Sequence, residues 1–384
     1  AHDLVRGFKR QNFWLMETQP GNVNWSPINN HLIKGEARAM AWHAVGHGAD
    51  ALLYWQWRSA FNGQEQYHGT LVDQSGKPRP FYKEAAQIGD EFARISKLLS
   101  GSEIQARVAI LNDYASRWSL NWSRQHQDFD YVQHLLHYYK PLATRNIPVD
   151  IISADEVLDK KYRIVIVPSL VILTPQRVRQ IKEYVNNGGT LILTLRSGMK
   201  DEYNALLPMR QPGELTEITN IEVEDYYPLK TPVPVIGNMI KNGTSRYWAE
   251  RLKIIDESKY TNPVAHFGKH NGLLDDQIAI CYNPYGKGGV YYVGAYLDDI
   301  SQARMLEYIC DINRVKPVLT TPKGVEVCQR VTRDGEKVFI VINHQPVKKK
   351  VMIPWSAHEF LSGFSGKGLV TLEPYGVVVL QKID

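Results

Sequence analysis

The sequence is poor in cysteine, with three among 384 residues: Cys281, Cys310 and Cys328. They lie far apart, form no C-x-x-C pair and offer no zinc cluster. Such a sparse, odd set suits buried thiols in a reducing, cytoplasmic setting and argues against a disulfide framework. Long apolar runs are missing too, so no segment reaches the roughly 20 residues a membrane-spanning helix needs. The opening AHDLVRGFKRQ is polar and charged, unlike a signal peptide. Charge of one sign is not in excess: the net value is +5, and the tight basic run is Lys348, Lys349 and Lys350. That is not the footprint of a nucleic-acid-binding protein. Internal repeats and low-complexity stretches are absent.

What is present is an ordinary globular composition, 43% apolar and 22% charged. The length exceeds what one core usually serves and implies two or three domains. The pattern divides at about residues 100 and 315. Residues 1–100 read as strand, loop, helix, strand, loop, helix. The strands are Phe13–Met16 and Ala51–Trp57, both short, apolar and expected to be buried. The helices are Asn29–His47 and Pro80–Leu99. Such an order builds parallel strands, as at the end of a (β/α)8 barrel, whose active sites lie in the loops after the strands. Residues 101–315 read as a flavodoxin-like α/β domain. Its strands fall near residues 108–111, 149–152, 164–168 and 190–195, and its helices over 132–146, 175–186 and 300–313. A hairpin is expected around NPYGKGG, and only short strands across 205–275. Residues 316–384 read as a small antiparallel β-sandwich.

The chemistry-bearing residues gather after the first two strands. In FWLMETQPGNVNW, Phe13 to Trp25, an apolar strand ends in Glu17. A carboxylate there is costly to bury unpaired. It is also where a glycosidase needs one, to attack an anomeric carbon or activate the water that does. A salt bridge to a neighbouring strand is the plain alternative. Trp25, Trp55 and Trp57 lie close by, and flat aromatic rings suit the apolar face of a sugar. FNGQEQYHG, Phe61 to Gly69, places Glu65 and His68 three apart in the second loop. Together they can fix neighbouring hydroxyls, unless the loop is merely solvated.

Two other patterns fall short. HAVGH, His43 to His47, has the spacing of a zinc-protease helix, but Ala44 stands where the general base belongs. YGKGG, Tyr285 to Gly289, runs into a strand and not a helix, so it is no phosphate loop. No metal and no cofactor are expected.

The run METQPGNVNW resembles the nucleophile segment of the glycoside hydrolase family 42 β-galactosidases. The likeness continues through KGEARAMAWHAVGHGADALLYWQWR and GQEQYHGTLVD. It extends over the whole chain as the end of a catalytic barrel, an α/β trimerisation domain and a small β domain. The resemblance implies a homotrimer acting on terminal β-galactosides. It makes Glu17 the nucleophile, Trp25 and Trp55 sugar-contacting aromatics, and Glu65 and His68 the groups that hold galactose hydroxyls. The family's acid/base is a Glu after an Asn, and no Asn-Glu dipeptide occurs here. The earlier barrel strands and the cysteine cluster that binds zinc in some members are missing as well. The expectation is therefore the C-terminal part of a β-galactosidase, inactive alone, with the other half of the machinery upstream of Ala1. The alternative is a non-catalytic trimerisation or assembly module. The middle domain also resembles class I glutamine amidotransferases in fold, but Ser169 follows IVIVP where that chemistry needs a cysteine.

Overall fold

The first strand pair is small. In the computed structural model, which describes residues 1–158, 161–270, 272–363 and 365–383, a helix α1 (His2–Lys9) precedes β1 (Phe13–Thr18). Helix α2 (Glu36–Gly46) then leads to β2 (Ala49–Tyr54), and α3 (Tyr82–Leu99) follows. β1 and β2 run parallel, with Phe13 opposite Ala49 and Thr18 opposite Tyr54. The expectation that both strands are buried is corrected. Trp14 and Met16 are 63% and 64% exposed, and Leu53 is exposed too. The second strand also ends at Tyr54, leaving Trp55 and Trp57 in the loop. Among the described residues these strands pair only with each other, so no sheet neighbour covers their outer edges. The helix expected from Asn29 starts instead at Glu36, after Gly35 turns the chain with a φ of 90°. Between α2 and α3, Trp42 meets Phe92 edge-on at 4.9 Å. The buried Glu91 accepts from Arg38 Nε, Trp42 Nε1 and Gln87 Nε2.

Residues 106–316 form a compact unit of their own. It comprises β3 (Val108–Asn112), α4 (Tyr114–Trp122), α5 (Tyr131–Thr144), β4 (Val149–Ser153), β5 (Ile164–Val167), α6 (Pro175–Asn186) and β6 (Thr190–Thr194). Next come α7 (Thr216–Thr219), β7 (Ile221–Gly237), β8 (Lys241–Ile254), β9 (Asn262–Phe267), β10 (Ile278–Tyr285), β11 (Gly288–Val293), β12 (Ala295–Leu297) and α8 (Asp299–Ile312). All ten strands join one sheet. Its parallel part runs β4-β3-β5-β6-β11, the flavodoxin-like order in which the first strand lies between the second and third. Side-chain oxygens of Asp113, Asp130, Thr174 and Asp298 cap the starts of α4, α5, α6 and α8. The hairpin at Tyr285–Gly288 is present. The short strands expected over 205–275 are corrected: β7 and β8 form a hairpin with arms of 17 and 14 residues. Pro228, Pro232 and Pro234 look like strand breakers in the sequence. The register shift between Leu229 and Val233 places Pro232 in a bulge, and the pairing resumes beyond it.

Residues 1–105 and 317–384 make the other unit. Its C-terminal strands are β13 (Val325–Val331), β14 (Lys337–Asn343), β15 (Lys349–Glu359), β16 (Ser365–Leu372) and β17 (Val377–Lys382). The expected sandwich is corrected to one antiparallel sheet in the order β13-β14-β17-β15-β16. Helices occupy the face that a second sheet would have filled. Trp42 and Val45 of α2 and Ile95 of α3 pack on Val338, Ile340, Ile342 and Val379. Val327, Phe339, Val341 and Leu380 form a core on the other face with Val351 and Ile353 of β15. Arg330 of β13, 0% exposed, donates to the carbonyls of Val45, Ala49 and Ser102, to Ser102 Oγ and to Asp50. No described helix is long and apolar enough to cross a membrane. The three cysteines are free and buried, and burial pushes the Cys281 and Cys310 thiols up to about 12.

Candidate active site

The loops that follow β1 and β2 are sewn together at backbone level. Gly69 N donates to Asn22 O at 2.7 Å, and Asn22 Nδ2 donates to Tyr67 O at 3.2 Å. Asn24 Nδ2 donates to Gln64 O. A side chain at residue 69 would put its Cβ 2.7 Å from Asn22 N and 2.8 Å from Gly21 C, so this crossing requires glycine.

Within that frame Glu65 is half-buried and positioned. Trp55 Nε1 donates to its Oε2 at 2.9 Å, and Gln56 Nε2 donates to the same oxygen at 3.1 Å. The Trp55–Gln56 peptide is cis. His68 is 5% exposed, and its Nδ1 lies 3.3 Å from Asn24 Oδ1. The base of the second loop is braced by Arg79, whose guanidinium donates to Thr70 Oγ1 and Ser59 Oγ, each at 3.0 Å. Val72 N bonds Trp57 O at 2.8 Å.

Glu17 stands exposed at the penultimate position of β1. The next residue, Thr18, accepts a 2.9 Å hydrogen bond from Trp55 N. Glu17 and Trp55 therefore stand at the same, C-terminal edge of the strand pair. Trp25 is 75% exposed and adjoins Asn24 in the chain. Among the described residues, no hydrogen bond, ion pair or ring contact joins Glu17 or Trp25 to the network around Glu65. The structure thus gathers Trp55, Glu65 and His68 through neighbouring loops, and it brings in Glu17 and Trp25 only as chain neighbours of Thr18 and Asn24. Sequence reasoning missed Asn22, Asn24 and Gln56. The signal was there in NVNW and WQW: amide side chains directly after apolar strands, able to donate and accept at once.

The second unit offers no nucleophile at the amidotransferase position. Ser169 has a φ of 42°, but it is fully buried and donates its hydroxyl to Leu195 O at 3.0 Å. One further cluster could hold a metal. His43, His47 and Glu326 have donor atoms all within 4.8 Å of one another.

Comparison with known proteins agrees along the whole chain. The family profile for the β-galactosidase trimerisation domain matches residues 106–316. The β-galactosidase profile of glycoside hydrolase family 42 matches 1–95, and that family's C-terminal-domain profile matches 324–382. The chain is 32% identical over 390 residues to a β-galactosidase of Planococcus sp. (strain L4), covering 100% of this chain and 57% of the relative. It is 36% identical over 350 residues to one from Haloferax lucentense, covering 90% of this chain and 50% of the relative. The crystal structure of a β-galactosidase from Bacillus circulans sp. alkalophilus superposes with a TM-score of 0.94 at 28% identity, over 100% of this chain and 57% of that one. The chain belongs to the glycoside hydrolase family 42 β-galactosidases, and it spans about half the length of the curated relatives it matches.

Proposed function

We propose that these residues serve the retaining hydrolysis of terminal β-D-galactosides. Residues 1–100 supply the C-terminal part of a catalytic (β/α)8 barrel. Residues 101–315 supply a trimerisation domain and residues 316–384 a small β domain, in a soluble, cytoplasmic homotrimer. The observation that carries the reading is the grip of Trp55 and Gln56 on Glu65 at the strand edge where Glu17 is exposed. A carboxylate locked by two donors keeps its direction, which suits it to accept from a sugar hydroxyl. His68 would contact a neighbouring hydroxyl, and Trp55 and Trp25 would cover the ring's apolar face.

In this mechanism the Glu17 carboxylate attacks C1 of the galactoside. The bond from C1 to the leaving oxygen breaks, and an acid about 5–5.5 Å away protonates that oxygen. Water then cleaves the galactosyl ester and returns Glu17, with the same acid group now acting as base. The acid/base comes from sequence outside these 384 residues, so the chain alone is expected to be inactive.

A chimera tests this, with the Planococcus relative supplying the part this chain does not match. It should hydrolyse a nitrophenyl β-galactoside. With 2-deoxy-2-fluoro-β-galactosyl fluoride, it should trap a covalent adduct that mass spectrometry places on Glu17. An adduct on another carboxylate would reject the assignment. An inactive but trimeric chimera would favour the reading as a non-catalytic assembly module.

A further inference from the structure

We propose that His43, His47 and Glu326 form a binding site for one divalent transition-metal ion of the zinc type, bracing the end of α2 against β13. The i, i+4 spacing sets His43 and His47 on one side of the helix end, with ring centroids 4.4 Å apart. From β13, Glu326 enters between them. Its Oε1 lies 2.9 Å from His47 Nε2, and its Oε2 lies 3.6 Å from His43 Nε2. A tetrahedral zinc ion with bonds of about 2.1 Å separates its donor atoms by roughly 3.4 Å. The two separations, made by the two oxygens of the carboxylate, fall on either side of that value, and the three donor atoms all lie within 4.8 Å of one another, so side-chain adjustment without backbone movement would close them on one ion. Two imidazoles and a carboxylate are also a donor set that zinc accepts.

The surroundings are those of a built site. His47 Nδ1 lies 2.7 Å from Asp3 Oδ1. Arg6 holds Asp3 at 2.5 Å and donates to His47 O at 2.7 Å. This outer carboxylate fixes the ring so that Nε2 faces Glu326. His344 Nε2 lies 2.8 Å from Glu326 Oε2 and steadies the carboxylate from β14's end of the sheet. His43 is 34% exposed and Glu326 21%, and a cavity of about 500 Å³ lined by His2, His43 and His344 gives access. A plain charge network would explain His47, which lies between two carboxylates. It leaves the His43 ring packed on other histidines without a hydrogen bond, since 3.6 Å is beyond one. The ion would be structural: Ala44, fully buried, takes the place of a protease's base.

The test uses the untagged 384-residue chain, stripped with chelator and titrated with zinc chloride by calorimetry. One equivalent should bind with a Kd of about 1 µM or below, and the thermal midpoint should rise with zinc concentration. Cobalt(II) should give a tetrahedral visible spectrum. His43→Ala should weaken zinc at least about 10-fold, and Asp3→Asn by about 10-fold through His47. His31→Ala, at an exposed histidine that is not a member of the cluster, should change nothing. Glu326→Gln should also weaken binding. If that variant does not fold, His43→Ala decides, because its ring makes no hydrogen bond to lose. No binding at about 100 µM zinc, or undiminished binding in His43→Ala, would overturn the site.

Discussion

Phe13–Met16 and Ile164–Val167 are the same kind of sequence: four mainly apolar residues bounded by polar or turn-forming ones. They end in opposite surroundings. In β5 no residue exceeds 1% exposure, whereas in β1 Trp14 and Met16 are mostly exposed. β5 lies between β3 and β6, and Ile181 and Val185 of α6 share its core. β1 has β2 as its partner. An apolar run therefore permits burial, but neighbours on both edges and faces bring it about. On the function proposed above, the contrast also divides the molecule: the pair left exposed in this chain, which spans about half the length of its relatives, carries Glu17 and the Trp55–Glu65 network, and the covered regions carry the packing.

If that division is right, the largest effect belongs to the exposed edge and should spare the fold. In the active chimera, Glu17→Gln should lower kcat on a nitrophenyl galactoside by on the order of 10⁴-fold, since an amide cannot form the glycosyl ester. In the 384-residue chain, where Glu17 is exposed, the same substitution should move the thermal midpoint by no more than about a degree or two. Loss of both together would mean that the exposed edge is structural, and the comparison would break.

The next effect lies where the first unit is covered. Arg330→Met removes five donated hydrogen bonds and leaves the carbonyls of Val45, Ala49 and Ser102 to find other partners. It should destabilise the 384-residue chain by about 3–5 kcal/mol in urea unfolding. A direct version of the comparison follows. Ile166→Ala in β5 should cost about 2–5 kcal/mol, and Met16→Ala in β1 less than about 0.5 kcal/mol. Equal costs would show that β1 is covered in solution.

Periodicity made much of this legible. Most of the parallel strands of the second unit, the hairpin at Tyr285–Gly288, and helices such as α6, with its Thr174 cap and Pro175, announce themselves locally. Three features did not. The long β7–β8 hairpin is hidden because its prolines resemble turn signals, and only a bulge, which is a tertiary feature, reconciles them with a strand. The single C-terminal sheet reads as a sandwich because strand alternation reports an apolar face without saying what covers it. Glu326 gave no sign of meeting His43 and His47, nearly 280 positions away, although HAVGH itself was visible. At the candidate site, residue types and spacing pointed to Glu65 and His68, but not to the amides of Asn22, Asn24 and Gln56 that organise their loops.

Smaller effects sharpen the picture of the loops. In the chimera, Glu65→Ala and His68→Ala should each lower kcat/KM by the equivalent of about 1–3 kcal/mol, from hydroxyl partners left unpaired. Trp55→Phe, which removes one of the two donors to Glu65, should cost about 1 kcal/mol. A Trp55→Phe loss as large as that of Glu65→Ala would give the indole a direct part in sugar binding, beyond holding the carboxylate.

The smallest effect tests the covered side of α2 through pH. Burial alone would raise the Glu91 carboxyl, but hydrogen bonds from Arg38, Trp42 and Gln87 outweigh it and leave the pKa below the ordinary carboxylate value. A carboxyl lowered by folding binds its proton more readily in the unfolded chain. Its stabilising contribution is therefore complete above the unfolded pKa and is lost as pH falls through the folded one. Urea midpoints of the 384-residue chain should decline as the pH is taken from about 6 toward 3, as they do for carboxylates in general. The part due to Glu91 is the difference from Glu91→Gln, which has no proton to take up there. That variant should be less stable than the parent at neutral pH, and the gap should narrow in acid. A gap that stayed constant across the range would mean that the Arg38–Glu91–Trp42 contact acts through packing alone, and that its charge contributes nothing to joining α2 and α3.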